Sequence, residues 1–317
     1  MNIFYFVMQS TMFFTIPLLI VALGGLFSEK SGVVNIALEG KMLMGAFSGI
    51  LFITTFQDRI PSQPVLILGL IVAMVTGIVV SLALAYAAIT LKANQIIAGV
   101  AITMFAGAFV VYGARIIVGS QNIHFINQFR IAYVPFLGGI PFIGPMFFQG
   151  TFITTFMGFA ILIIATFVLY KTKFGLRLRA CGEHPHAADS VGISVTKMRY
   201  AGVIISGALA GMGGVVFIIP ISILFDGTVG GYGFLALAVL IFGGWQPIKI
   251  LLAALFFGLT QAIAHSHSAI VFLYNLNIPS QFYEMAPYIA TLIALAFTSK
   301  NTMAPKALGQ PFDQGGR

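Results

Sequence analysis

The sequence predicts an all-α fold, a polytopic transmembrane helix bundle of eight to ten spans with at least one broken helix. Three observations predict it. The first is composition: of 317 residues 59% are hydrophobic and 8% charged, and the mean hydropathy is +1.02. A soluble domain carries about a quarter charged residues to wet its surface, so lipid must solvate most of this one. The second is a succession of apolar runs at or near the roughly 20 residues that cross a bilayer. The third is the collection of basic side chains into a few short breaks, six of them between Lys171 and Arg199.

The runs cover residues 2–27, 41–57, 64–90, 94–118, 149–170, 200–224, 233–246, 248–274 and 285–299. The runs 233–246 and 285–299 are short for a crossing. Breaks fall at Ser28–Lys30, Asp58–Gln63, Leu91–Ala93, Gly119–Gln149, Lys171–Arg199, Asp226–Gly231, Gln246–Lys249 and Asn275–Glu284. Basic residues in short loops stay on the cytoplasmic side. The segment 171–199 and the tail therefore face inward, which requires an even number of crossings between them. Counting back puts Gly119–Gln149 outside, Lys92 inside, Asp58–Arg59 outside, Glu29–Lys30 inside and the N-terminus outside, with nine spans. The organisation expected is one membrane domain, 1–299, with a cytoplasmic tail, 300–317. The opening lacks a basic n-region and a small-residue cleavage site, so its apolar run reads as a span.

The net charge of +8 does not indicate nucleic acid, because the Lys and Arg are thinly spread and not interleaved with aromatics. A single cysteine, Cys181, excludes an internal disulfide. Small residues at four-residue spacing, Gly45 with Gly49 and Gly207 with Gly211, let helix backbones approach closely in lipid.

Polar residues interrupt the apolar runs at a few places. In Glu29–Gly49 the apolar pattern continues through Asn35 and Glu39, and a carboxylate in a span is costly unless it meets water or a partner. Gly32 and Gly40 allow a break, and backbone freed there is tolerated only against protein or a wet cavity. Glu39 therefore has two readings: it lines a substrate path, or it pairs with Lys41 or Lys30 at the interface. Asn94 and Gln95 open a span, where they either touch substrate or act as a helix cap and an interhelical hydrogen bond. Gln261, His265 and His267 form another island, but the two histidines lie on different helix faces and do not suit a shared metal. Arg115 reads as a snorkelling anchor.

The sequence carries no G-x-x-x-x-G-K-[ST] phosphate loop, no H-E-x-x-H, no cysteine cluster and no G-x-S-x-G. No catalytic residue, metal ligand or cofactor is expected in this chain, so any fuel comes from an ion gradient or from another protein. A stand-alone ion-coupled carrier would rely on intramembrane acids, and Glu39, Asp226 and Glu284 are the candidates.

The segment "HAADSVG", His186 to Gly192, resembles the E-A-A-x-x-x-G loop of permeases of ATP-binding-cassette importers, with His186 in place of the Glu. "GLFSEKSGVVNIALEGKMLMGAF", "LKANQIIAGVAI", "SGALAGMGG", "GYGFLALAVLIFGGWQP", "MAPYIATLIAL" and "APKALGQPF" extend the resemblance along nearly the whole chain. They are similar to the branched-chain amino-acid/simple-sugar permease family, most of all to the shorter permease of bacterial nucleoside importers. The resemblance implies a multi-pass plasma-membrane subunit working by alternating access. ATP and Mg would be bound by a separate ATPase subunit. A second homologous permease, or a second copy of this chain, and an extracellular substrate-binding protein would complete the machine. Matched by motif, Glu183, His184, Pro185, His186, Ala187, Ala188, Asp189 and Gly192 would meet the ATPase. Pro185 suits a helix start, Ala187 and Ala188 permit close docking, and Gly192 ends the turn. Asn35, Glu39, Asn94 and Gln95 would border the substrate path. Nucleosides are the cargo the resemblance implies; the alternative is a simple sugar or a branched-chain amino acid, because the binding protein selects the cargo.

Overall fold

The computed structural model describes residues 3–126, 129–142, 144–267 and 303–313, with 270, 279, 282–283, 285–287, 289 and 291–292 between them. Its helices are α1 (Ile3–Lys30), α2 (Leu38–Phe56), α3 (Ser62–Ala85), α4 (Gln95–Val118), α5 (Ile153–Lys171), α6 (Lys173–Glu183), α7 (Pro185–Ser190), α8 (Val195–Ile221), α9 (Tyr232–Phe242) and α10 (Pro247–His265). The apolar runs locate α1–α5, α8 and α9 to within a few residues; α10 closes at His265, well before the end of its run, and α6 and α7 lie inside the break Lys171–Arg199. Of the expected run 285–299 the described residues are 285–287, 289, 291 and 292, and Glu284 lies outside them.

Among the described residues six helices are long and apolar enough to cross a membrane: α1, α3 with the π-turn Tyr86–Thr90 that prolongs it, α4, α5, α8 and α10. The chain is thus a helical, multi-pass membrane protein. Two further apolar helices, α2 and α9, belong to the same bundle. α2 has the length of a span but carries Glu39 and Lys41, and α9 has only 11 residues.

Helix α1 runs through the centre of the bundle, with Leu18 to Leu23 fully buried. It packs against α8, α10 and α9, while α2 and α3 close around α8. Small residues set the approach. A Cβ on Gly45 would meet the Gly211 backbone, and one on Gly77 would meet the Gly207 carbonyl. Where lipid is as apolar as leucine, such close backbone contact is a main source of helix association. By contrast α4 and much of α3 turn broad apolar faces outward, with Val79, Ile97, Met104 and Tyr112 exposed.

The two ends of the bundle differ. One gathers the basic breaks: Thr90 on the α3 side bonds Tyr200 (2.6 Å), Lys92 pairs with Asp313, and Gln246 reaches Met303. The other is capped by irregular structure and four short strands, an addition to the expected all-helical pattern. There β1 (Ile123–His124) pairs antiparallel with β4 (Leu224–Phe225), and β2 (Arg130–Tyr133) with β3 (Gln149–Phe152). Gln57, Gln63 and Gln121 tie the caps to the helix ends. The breaks that charge counting assigns to one side of the membrane therefore lie together at one end.

Candidate functional site

Between α1 and α2 the backbone unwinds over Ser31–Ala37, and most of that stretch is buried. At about 1.5 Å per residue α1 is about 42 Å long and α2 about 28 Å, so α2 begins well inside the bundle rather than at its basic end. Helix α9 enters from the other direction. Its eleven residues measure about 16 Å, and its last turn leads to Trp245 at the basic end. The N-terminus of α9 thus sits at a depth where lipid surrounds the bundle, and it faces the start of α2.

Glu39 occupies that junction. Its Oε1 accepts the Gly231 amide at 3.0 Å and its Oε2 the Gly233 amide at 2.6 Å. A helix start leaves amides without intrahelical partners and carries partial positive charge, so a carboxylate satisfies both needs. Gly231 sits at φ 79°, a left-handed conformation that glycine adopts without strain. Gly233 leaves no room for a Cβ, which would strike Glu39 itself. The expected partners of Glu39, Lys41 or Lys30, are not the ones it takes here. Fully buried Lys41 donates from Nζ to Asn35 Oδ1 (2.8 Å), and Asn35 Nδ2 donates to Ser206 Oγ on α8 (2.6 Å).

The unwound stretch is held from both sides. Gln95 Oε1 accepts the Val34 amide at 2.8 Å, which brings the start of α4 against it. Buried Glu29 accepts from Trp245 Nε1 at 2.6 Å, and the Asn35 main chain also bonds to it. Asn94 is exposed and caps α4, its Oδ1 accepting from the Ile96 and Ile97 amides. Of the four predicted pathway residues, Asn35, Glu39 and Gln95 hold or form the break, while Asn94 serves the helix beside it. Reasoning from sequence missed Glu29, Trp245 and Ser206; the only signals were a lone tryptophan and one more acid at a helix end.

Gln261, His265 and His267 lie at the end of α10. His265 stacks on Phe14 (4.8 Å) and His267 on Tyr283 (4.9 Å). Among the described residues no group of three His, Cys, Asp or Glu side chains could hold a metal.

At the basic end α6 and α7 project from the spans. α6 is capped by Thr172, whose Oγ1 accepts the Gly175 amide. α7 starts with Pro185 in its first turn, and Gly192, at φ 81°, closes the turn that follows. Ala188 is buried on Cys181 and Val195. His184, His186, Ala187, Ser190 and Gly192 face outward, and Val191 is 74% exposed. Asp189 and Glu183 are part-buried, and Glu183 Oε2 receives the Lys306 amide at 3.5 Å. Burial pushes the Cys181 thiol up from its ordinary value, with Arg199 acting against the rise. Beside α7 a groove of about 450 Å³ is lined by Glu183–Ala187 and by Lys306, Ala307, Gln310 and Pro311 of the tail.

The chain is a lipid-embedded helical bundle with a displayed turn at its basic end and a buried break between α1 and α2. Comparison with known proteins gives the family. A model of the branched-chain amino acid transport system permease component matches residues 7–298, and the chain belongs to that family. It is 43% identical over 313 residues to the guanosine ABC transporter permease NupQ of Bacillus subtilis, covering 98% of this chain and 97% of that one. It is 38% identical to the nucleoside ABC transporter permease NupC of Lactococcus lactis, covering 97% and 96%. NupB of L. lactis, also a nucleoside ABC transporter permease, is 27% identical over 92% of this chain and 79% of its own. No solved structure matches the chain.

Proposed function

We propose that this chain is the plasma-membrane permease subunit of an ATP-binding-cassette importer for nucleosides. It performs no catalysis and holds no cofactor. ATP and Mg are bound by a separate ATPase subunit, which grips the turn from Glu183 to Gly192. The basic end faces the cytoplasm, the strand-capped end receives an extracellular binding protein, and the spans number eight to ten. A second homologous permease, or a second copy of this chain, completes the path; L. lactis has two nucleoside ABC transporter permeases similar to this chain, NupB and NupC. Asn35, Glu39, Asn94 and Gln95 border or position the part of the path that must change shape.

The observation that carries this reading is α7. It is displayed at the basic end with His186, Ala187 and Ser190 outward and Val191 exposed just after it, while Ala188 anchors it to the body of the protein. A short helix with one face exposed and held at its base suits a partner that pushes and pulls. Deleting Glu183–Gly192 in the co-expressed complex abolishes ATPase capture and guanosine uptake. An assembled, transporting complex after that deletion refutes the assignment. Gradient-driven uptake by this chain alone in liposomes would instead favour an ion-coupled carrier.

A sugar cargo is the second reading, favoured by 30% identity over 94% of this chain to the putative glucose ABC transporter permease TsgC13 of Haloferax volcanii. Ligand binding by the companion binding protein decides between the two.

A further inference from the structure

The segment Met303–Asp313 crosses the basic end and adds bonds between α6, the unwound stretch and α8, which already touch one another: a Cβ on Gly182 would meet the Lys30 carbonyl, and one on Gly32 the Arg199 guanidinium. Its backbone is bonded on both sides within three residues. The Ala307 amide donates to the Gly182 carbonyl at 2.9 Å, at the end of α6, and the Gly309 amide donates to the Gly32 carbonyl at 3.1 Å, in the unwound stretch before α2. The next residue, Gln310, offers its carbonyl to Arg199 Nη1 at 2.9 Å, at the start of α8. Further along, the Phe312 ring lies 5.2 Å from that of His186 on α7, and Asp313 pairs with Lys92 in the α3–α4 turn at 3.0 Å.

This is more than a tail resting on a surface. Ala307 is buried, and Ala304 and Leu308 pack against the main core. Gly309 takes φ 78°, where a side chain is strained, so the crossing depends on a glycine there. Two internal turns, Leu308 N to Pro305 O and Gln310 N to Ala307 O, make the segment compact and stiff. A three-residue link with a backbone bond at each end has little slack. Displacement of α6 and α7 is therefore carried to Gly32 through this link, beside the direct packing of Gly182 on Lys30 and Gly32.

We propose that Met303–Asp313 is a positioning strap that carries movement of the α6–α7 platform to the unwound stretch Ser31–Ala37, making Gly309 and Phe312 positioning residues for transport. The proposal rests on the ATPase-coupled reading above. It does not require the strap to bind the ATPase or the cargo.

The test uses the whole complex, permeases with ATPase and binding protein, reconstituted in liposomes, and measures guanosine taken up per ATP hydrolysed. Phe312→Ala and Gly309→Val leave the ATPase bound but lower uptake per ATP by about fivefold or more, the scale of a typical coupling energy. Phe312→Tyr, which keeps a ring against His186, restores the ratio. A merely structural tail would lower complex yield, hydrolysis and uptake together and leave the ratio unchanged, and that result overturns the strap. Removing 303–317 gives the largest loss of ratio if the complex assembles. If it does not assemble, the two point variants decide. Retention of the ATPase after deletion of Glu183–Gly192 sinks the underlying assignment, whereas a normal ratio in Phe312→Ala with the ATPase bound sinks the strap alone.

Discussion

Glu39 and Gly233 meet at 2.6 Å although 194 residues separate them. The bond fixes the first turn of α2 to the first turn of α9, and it does so away from either end of the bundle. A carboxylate there is tolerable because two amides at a helix start replace the water it has lost.

Glu39→Ala leaves those amides without an acceptor, and each buried unmet donor costs about 1–3 kcal/mol. The expected outcome is a clear fall in thermal midpoint in detergent together with loss of uptake. Glu39→Gln keeps one acceptor oxygen and falls between wild type and alanine. An alanine variant as heat-resistant as wild type would show that the α9 start does not depend on this carboxylate.

Lys41 and Asn35 form the second buried pair. Asn35→Leu strips Lys41 of its acceptor and leaves a buried amine unmatched, a change costing about 3–5 kcal/mol where a charge is stranded. Lys41→Met in the same chain recovers most of that loss, because an apolar side chain of similar volume needs no partner. Thermal unfolding of the two singles and the double reads the coupling. Additive effects would mean the pair is not a unit.

Gly211 sits where α2, α3 and α8 converge, and a Cβ on it would strike the Ala73 carbonyl. Gly211→Leu forces these backbones apart, at about 1–3 kcal/mol or more, and lowers the yield of folded chain. Gly107, around which the structure leaves open space, accepts alanine without loss. Equal tolerance at the two positions would contradict the packing described.

Cys181 lies beneath α7, and burial raises its thiol above the ordinary 9.0. Raised means that the neutral form is favoured in the folded chain. Its contribution is intact below that ordinary value and is lost as the pH rises through and beyond it. At neutral pH a maleimide reagent labels the folded chain at least about tenfold more slowly than the denatured one, since reactivity follows thiolate and exposure. Rapid labelling of the folded complex would show that α7 lifts off its seat.

Much of the architecture was legible beforehand because its causes are local or additive. Hydropathy placed the helices, since any segment crossing lipid must be apolar throughout and must bond its own backbone. Basic residues grouped the breaks that lie together at one end. Pro185 and Gly192 marked the ends of the α7 turn through their own backbone preferences.

The amino-acid sequence by itself determined a lipid-embedded helical bundle with a displayed turn at its basic end. Only the tertiary structure decided that Glu39 would cap α9, that Lys41 would turn to Asn35, that Trp245 would hold Glu29, and that the tail would reach Gly32. Membrane helices are apolar on every side, so their composition does not reveal which face meets lipid and which meets protein. The partner of a buried polar group is chosen by which distant backbone ends beside it once the helices have packed.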